Sequence, residues 1–268
     1  MKQRILATVA LWLLVIFLLW FLGKWGAFIL IALFGVGSFV EFLSLMRRAG
    51  RPVDHLVSLS GFTLLIGLLI VIPPWVIPPV AILAICLAGT LVACLLNASM
   101  GTFTATAIPT LGSLFLLGIP MGTAVLIVHE TGLLPLLWIV AVAKFGDVGA
   151  LLTGMWIGRH RMAPGYSPNK TWEGFGGGVV LSILVSIAFT LLFKQWLPAE
   201  LHPLHAAWMA LFITLSAVLS DLMESAFKRE AKAKDSGNII PGIGGILDLT
   251  DSMILALPVG YFLLWLVL

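Results

Sequence analysis

Charge is what this chain has least of. Of its 268 residues only 10% are Asp, Glu, Lys or Arg, against 60% apolar, and the mean hydropathy is +1.12. Soluble proteins run at roughly 45–50% apolar and about 25% charged. A water-soluble fold of this length lacks the charges to cover itself, so that class is excluded. Cysteine is nearly absent as well. Cys86 and Cys94 fall in one apolar run, where eight helical residues separate them by about 12 Å, too far for a disulfide within that helix. They read as small fillers and indicate no compartment. Also missing are a Walker A spacing, a metal-ligand set around His202 and His205, an internal repeat and a disordered linker. The N-terminal run has Lys2 and Arg4 but no A-x-A-like cleavage site, and it continues to about Phe21. It reads as a retained first span. The formal charge of +3 is no nucleic-acid signal, because the basic residues cluster at the edges of apolar runs.

Long apolar runs are what the chain has in abundance. About nine segments near 20 residues fit, at 5–22, 25–46, 56–73, 78–96, 103–128, 134–158, 174–194, 206–227 and 246–268. The expected fold is all-α: a polytopic integral membrane protein, with residues 1–268 as a single transmembrane domain and no separate soluble domain. Pro109, Gly112 and Pro120 predict a broken or kinked fifth helix. Pro73-Pro74 and Pro78-Pro79 mark a tight turn. Basic residues orient the chain. With the N-terminus cytoplasmic, the inner segments hold Lys2, Arg4, Arg47, Arg48, Arg51, Arg159, Arg161, Lys170, Lys228, Arg229, Lys232 and Lys234, whereas the outer ones hold Lys24 and Lys194. That bias predicts an outward C-terminus and cytoplasmic loops at 159–173 and 228–245.

Three constellations carry chemical potential. Within the sixth span, Lys144 and Asp147 of K-F-G-D-V-G are three apart and share a helix face. Asp147 lies roughly 16 Å from the inner end, where a charge costs at least ~2.5–3.5 kcal/mol. Either the two form a mutual ion pair, or they border a polar cavity reaching in from the cytoplasm. In the loop 159–173, Ser167, Lys170 and Thr171 precede the glycine-rich start of a helix, whose free N–H groups suit a phosphate. The alternative is a snorkelling basic loop on lipid headgroups.

The third constellation is the richest. Asp221 and Glu224 are three apart, Lys228 follows by four, and Asp248 and Asp251 are again three apart beyond a basic loop with Arg229, Lys232 and Lys234. Four carboxylates from two helix ends suit Mg²⁺, which takes a few carboxylates plus substrate phosphate. The lysines and arginine offer charge to phosphates, and Pro241 to Gly245, P-G-I-G-G, offers backbone N–H groups. The plainer readings are an anionic-lipid patch for the bases and helix-end capping for the acids. Capping suits Asp248 and Asp251 but not Asp221 and Glu224, which approach a helix C-terminus where the dipole disfavours anions.

The segments S-P-N-K-T-W-E-G, S-D-x-x-E-S-x-x-K-R-x-x-x-x-K-D-S-G and P-G-x-G-G-x-x-D-x-x-D-S together resemble the phosphatidate cytidylyltransferases (CDP-diacylglycerol synthases). The chain departs from that family at Ile243, where histidine is usual, at Leu249, where arginine is usual, and in G-D-V-G-A, where D-T-G-A-Y is usual. The resemblance implies the reaction CTP + phosphatidate → CDP-diacylglycerol + pyrophosphate, for phospholipid biosynthesis. It further implies Mg²⁺ with room for a second cation, held by Asp221, Glu224, Asp248, Asp251 and Asp147. Catalytic roles then fall to Asp221, Asp248, Asp251, Lys228 and Arg229. Substrate contacts fall to Ser167, Lys170, Thr171, Ser225, Lys234, Asp235, Gly242, Gly244 and Gly245. A homodimer in a bacterial inner membrane, with the site facing the cytoplasm, is the accompanying expectation. Two other classes stay open: a CTP-dependent kinase of a polyprenol-type lipid, and a non-catalytic lipid- or ion-binding membrane protein.

Overall fold

A backbone surrounded by hydrocarbon must satisfy its own N–H and C=O groups, and the α-helix does so within one segment. The apolar runs accordingly fold as helices. The structure, a computed structural model, describes residues 2–98, 101–239 and 244–268, with side chains from residue 9 onward. In chain order the elements are α1 (Lys2–Leu22), α2 (Lys24–Arg48), α3 (His55–Val71), α4 (Pro79–Asn97), α5 (Phe103–Glu130), α6 (Leu133–Ile157), β1 (Arg161–Ala163), β2 (Ser167–Thr171), α7 (Trp172–Leu192), α8 (Pro203–Glu230), α9 (Leu247–Thr250) and α10 (Met253–Val267). Among the described residues seven helices are long and apolar enough to cross a membrane: α2, α4, α5, α6, α7, α8 and the stretch Leu247–Val267. The first and third expected spans appear as shorter apolar helices, Val9–Leu22 and His55–Val71. The protein is thus a polytopic, essentially all-α membrane protein.

Its residues fall into two compact units, each discontinuous in sequence. The first comprises residues 1–130 and 227–250. Here α1 and α2 form a hairpin around Gly23, whose φ of 52° is a left-handed conformation open to glycine at little cost. Gly26 packs so closely on the Leu18 carbonyl that a Cβ has no room. Phe39 of α2 stacks on Phe62 of α3 with ring centroids 4.3 Å apart, and Leu65, Leu114 and Leu117 are fully buried around them. Asp54 caps α3 by accepting from Val57 N at 3.1 Å and is itself steadied by Asn97 Nδ2 at 3.1 Å. Of the expected broken or kinked fifth helix, the break is not observed. The helix runs continuously through Pro109 and Pro120, and it is the most extensively buried of the seven long spans. Packing from neighbours compensates for the hydrogen bonds that two prolines remove.

The second unit comprises residues 131–226 and 251–268. Its centre is the pair α6 and α7. Along α7 the buried residues are Gly174, Gly178, Ser182, Ser186 and Thr190, one every fourth position. Such a stripe of small residues lets two backbones approach closely. A Cβ on Gly178 would stand 2.7 Å from Gly146 O, and one on Gly149 would stand 2.9 Å from Gly177 O. Lower on the same stripe, hydroxyls replace hydrogen atoms at the interface. Ser186 Oγ donates to Ala206 O at 2.8 Å and accepts from the buried Trp138 Nε1 at 2.9 Å. Thr214 Oγ1 donates to Ser182 Oγ at 2.6 Å.

Gly178→Leu is therefore expected to destabilise the protein by about 1–3 kcal/mol through overpacking. Gly176 faces open space, so Gly176→Leu is expected to change little. Thermal unfolding midpoints of the two variants in detergent make the comparison.

The expected inner loop 159–173 is an antiparallel hairpin, with Arg161 opposite Thr171 and Ala163 opposite Ser167. Its base is tied to the start of α7. Trp172 N donates to His160 O at 2.9 Å, and Glu173 Oε2 accepts from Arg159 N and His160 N at 3.1 Å each. The expected ninth span is also subdivided. It comprises α9, a turn at Asp251–Ser252, and α10.

Candidate functional site

In the second unit, α6, α8, the 251–252 turn and the hairpin each deliver ionisable groups. Asp221 and Glu224 project from α8, one turn apart. With Asp251 they form a cluster in which one carboxylate oxygen from each residue lies within 4.8 Å of the others. Glu224 is buried, at 1% exposure. Asp251 owes its place to the turn: Ser252 N donates to its Oδ1 at 2.6 Å, while Ser220 Oγ donates to its carbonyl and accepts from Leu255 N at 3.3 Å. Ser220 thereby stitches α8 to the start of α10.

Two ammonium groups face these acids. Lys144 Nζ lies 3.3 Å from Asp251 Oδ1 and 3.6 Å from Asp147 Oδ2. The Lys144–Asp147 pair expected from the spacing is present, but the lysine bridges two acids rather than one. Lys170 Nζ lies 2.5 Å from Asp221 Oδ2, carried there by β2. Asp147, Asn169, Lys170, Thr171 and Asp221 border a cavity of about 190 Å³ whose apolar wall includes Leu151, Phe175 and Val218. Asp147 therefore borders a cavity within this unit, one whose lining is mostly apolar. Thr171 has a structural task too, since its Oγ1 caps α7 by accepting from Gly174 N at 3.1 Å. Ser167, at the far end of β2, does not line the cavity. Ser225 is buried on α8.

The first unit holds the other half of the signature. Asp248, in α9, accepts at Oδ1 from Lys228 Nζ at 2.9 Å and at Oδ2 from Gly245 N at 2.8 Å and Ser236 N at 3.1 Å. Gly244 has a φ of 124°, and a Cβ there would stand 2.9 Å from Asp248 Oδ2, so glycine is required on both counts. Lys232, Lys234, Asp235 and Arg229 are exposed. Gly242 and Ile243 lie outside the described residues.

Sequence reasoning missed Glu41, Ser236, Asn169 and Ser220. Glu41 is the instructive omission. It lies within α2, is only 4% exposed, and accepts from Ser236 Oγ at 3.0 Å and Leu247 N at 2.9 Å. An acid inside an apolar span costs ~2.5–3.5 kcal/mol or more, and that penalty was the available signal.

Three carboxylates at this spacing repel one another unless cations intervene, and the two lysines only partly balance them together with Asp147. An all-oxygen donor set of this kind fits a hard divalent cation. Comparison with known proteins agrees in kind. A profile described as the cytidylyltransferase family matches residues 2–267. The chain is similar to the phosphatidate cytidylyltransferase of Bacillus subtilis (strain 168), at 39% identity over 135 residues, 50% of this chain and 49% of that protein. It is similar to the protein of the same name from Staphylococcus epidermidis (strain ATCC 12228 / FDA PCI 1200), at 39% over 145 residues, 52% and 53% of the two chains. With that of Staphylococcus aureus (strain COL) the identity is 38% over 141 residues, again 52% and 53%. The chain spans about half the length of the curated relatives it matches.

Proposed function

This chain belongs to the cytidylyltransferase family, and from that premise we propose that it transfers the cytidylyl group of CTP to phosphatidate, giving CDP-diacylglycerol and pyrophosphate. The observation that carries the reading is the convergence of Asp221, Glu224 and Asp251 within 4.8 Å, faced by Lys144 and Lys170. Asp221 and Asp251 would hold Mg²⁺, with Glu224 as a ligand or orienting one, and Asp147 poised for a second cation. When bound, Mg²⁺ supplies charge neutralisation and in-line alignment of two phosphates that otherwise repel.

The remaining chemistry needs little from the protein beyond position. A phosphate monoester has a second pKa of about 6, so phosphatidate is largely a dianion at neutral pH and needs no general base. Its oxygen forms a new bond to the α-phosphorus of CTP. The α–β P–O bond breaks, and its electron pair leaves on pyrophosphate. Lys170 shields the accumulating negative charge beside Asp221. Lys228, Arg229 and Lys234 are assigned to the triphosphate and the departing pyrophosphate. Ser167, Thr171, Ser225, Asp235 and the glycines of P-G-I-G-G keep the substrate-binding roles that the resemblance supports. Asp248 keeps its metal-binding role as a ligand oriented by Lys228 and two backbone amides. The distribution of basic residues supports a cytoplasmic site, and the bacterial relatives support an inner membrane. The match over residues 2–267 supports one transmembrane cytidylyltransferase domain. A homodimer rests on the resemblance alone.

The decisive assay follows the label. With purified protein, phosphatidate and Mg²⁺, CTP labelled at its α-phosphorus is expected to yield labelled lipid, and γ-labelled CTP is expected to yield labelled pyrophosphate. With a polyprenol supplied in place of phosphatidate, lipid labelled from the γ position would instead identify a lipid kinase. Nucleotide binding without turnover would identify a non-catalytic protein, in keeping with the departures at Ile243 and Leu249.

A further inference from the structure

We propose that Glu41 is a positioning residue: its buried carboxylate pins Ser236 and Leu247, at the two ends of the loop that leads into α9, and through them sets the orientation of Asp248. The inference deepens the functional reading above and rests on it for its catalytic consequence, but not for its structural one. All of its partners belong to the first unit.

Glu41 uses one oxygen for two bonds. Oε2 accepts from Ser236 Oγ at 3.0 Å and from Leu247 N at 2.9 Å. These donors come from opposite ends of the loop, so a single carboxylate pins both. Oε1 is buried without a hydrogen-bond partner among the described residues. The loop reaches Glu41 only because glycine stands at two positions. A Cβ on Gly237 would overlap the Glu41 carboxylate, and a Cβ on Gly245 would overlap both that carboxylate and Ser236 Oγ.

Asp248 pins the same two ends from its own side, accepting from Ser236 N and Gly245 N. Ser236 thus donates its hydroxyl to one acid and its amide to the other. Releasing Glu41 frees Ser236 and Leu247 together, and with them the two amides that aim Asp248. The bond from Lys228 Nζ to Asp248 Oδ1 does not depend on Glu41 and remains.

The face of α2 that carries Glu41 continues the seat by one turn. Ser38 Oγ bonds Thr250 Oγ1 at 2.7 Å, so α9 is fastened at its far end too. Gly37 leaves room for the Ile246 side chain, which a Cβ would strike. Gly37, Ser38 and Glu41 therefore form one seat for Ser236, Ile246, Leu247 and Thr250. Just ahead of Ser236, Lys232, Lys234 and Asp235 are exposed.

The test compares two substitutions by hydrogen exchange and by kinetics. Glu41→Gln keeps an acceptor oxygen of the same reach, so amide protection at Ser236, Gly245 and Leu247 and the turnover number are expected to stay within about threefold of the unsubstituted protein, the size of an ordinary surface substitution. Glu41→Leu keeps the bulk and removes the acceptor. Exchange at those amides is expected to rise at least about tenfold through local opening. The kcat is expected to fall about a hundredfold, as for other small misplacements of a catalytic group, with the KM for phosphatidate within about twofold. A purely structural role would lower the active fraction and leave exchange at these amides unchanged in the folded molecules. If Glu41→Leu does not fold, Ser236→Ala removes one of the two bonds and is expected to raise exchange at Leu247 and lower kcat in the same sense. Unchanged exchange and kcat in whichever variant folds overturns the inference. So does a Glu41→Gln variant as impaired as Glu41→Leu. If the unsubstituted protein makes no CDP-diacylglycerol while exchange responds as expected, the functional reading falls and the positioning of the loop by Glu41 stands.

Discussion

Asp251→Asn is expected to lower cytidylyl transfer by on the order of a thousandfold while leaving the thermal unfolding midpoint nearly unchanged. Asparagine is the same size and shape as aspartate, and its carbonyl oxygen still accepts from Ser252 N, which now bonds Asp251 Oδ1 at 2.6 Å. Ser220 bonds the backbone carbonyl, which the substitution does not touch. What disappears is one negative charge among the oxygens of Asp221, Glu224 and Asp251. Metal-assisted charge stabilisation is worth several kcal/mol, and each ~1.4 kcal/mol is tenfold in rate, which gives the thousandfold figure. The Mg²⁺ concentration for half-maximal rate is expected to rise as well. A variant that folds normally and retains a tenth or more of the rate would remove Asp251 from the metal site.

Lys170→Met is expected to reduce kcat/KM for CTP by on the order of 10²–10³-fold, the usual effect of deleting one preorganised charged or hydrogen-bonding group from a reacting centre. Lys170 is the cation nearest Asp221, at 2.5 Å. Methionine preserves its stem, which lies along the cavity wall, and removes only the ammonium. A second substitution separates substrate binding from support of the carboxylate. If Lys170 served only to neutralise Asp221, Lys170→Met combined with Asp221→Asn would be no worse than Asp221→Asn alone. On the present reading the double variant is slower still. A Lys170→Met variant whose kcat/KM for CTP stays within about threefold would end the assignment, since ordinary surface substitutions do no more than that.

The broad architecture was legible because hydropathy alone dictates it. Residues in long apolar runs must be helical in lipid, so α2 and α4 to α8 coincide closely with the expected segments. The small-residue stripe of α7 hides in the same run, since its four-residue recurrence emerges only once Gly146 and Gly149 are known to face it. The hairpin 161–171 was not legible. S-P-N-K-T shows no apolar alternation, and the strand exists because Glu173 and His160 fasten its base. The division of the last span was missed for a related reason. Leu249 and Thr250 prolong an apolar pattern, but Asp251 turns the chain, with Ser220, thirty-one positions earlier, bonding its carbonyl.

The site was legible in part. Asp221, Glu224 and Asp251, three of the four carboxylates expected to converge, do meet, and Asp147 borders a cavity. The pairing of Lys170 with Asp221 was not foreseen, because those residues sat in constellations treated separately. Glu41 lay unnoticed in an otherwise ordinary α2. Its partners are about two hundred positions distant, so the cost of an acid in an apolar span could flag the residue but not show what it holds.

The tied base of the β-hairpin bears on what the proposed function would ask of Lys170. Lys170 stands on a strand whose neighbours are already hydrogen-bonded to one another and to the first turn of α7. Backbone freedom at that position was surrendered when the chain folded, so on the proposed function a triphosphate would have only side-chain torsions left to still. A lysine on a loose connection would lose backbone entropy again at every encounter. The short antiparallel ribbon thus acts as a rigid bracket, an island of β-structure kept in a helical molecule to hold one ammonium ready.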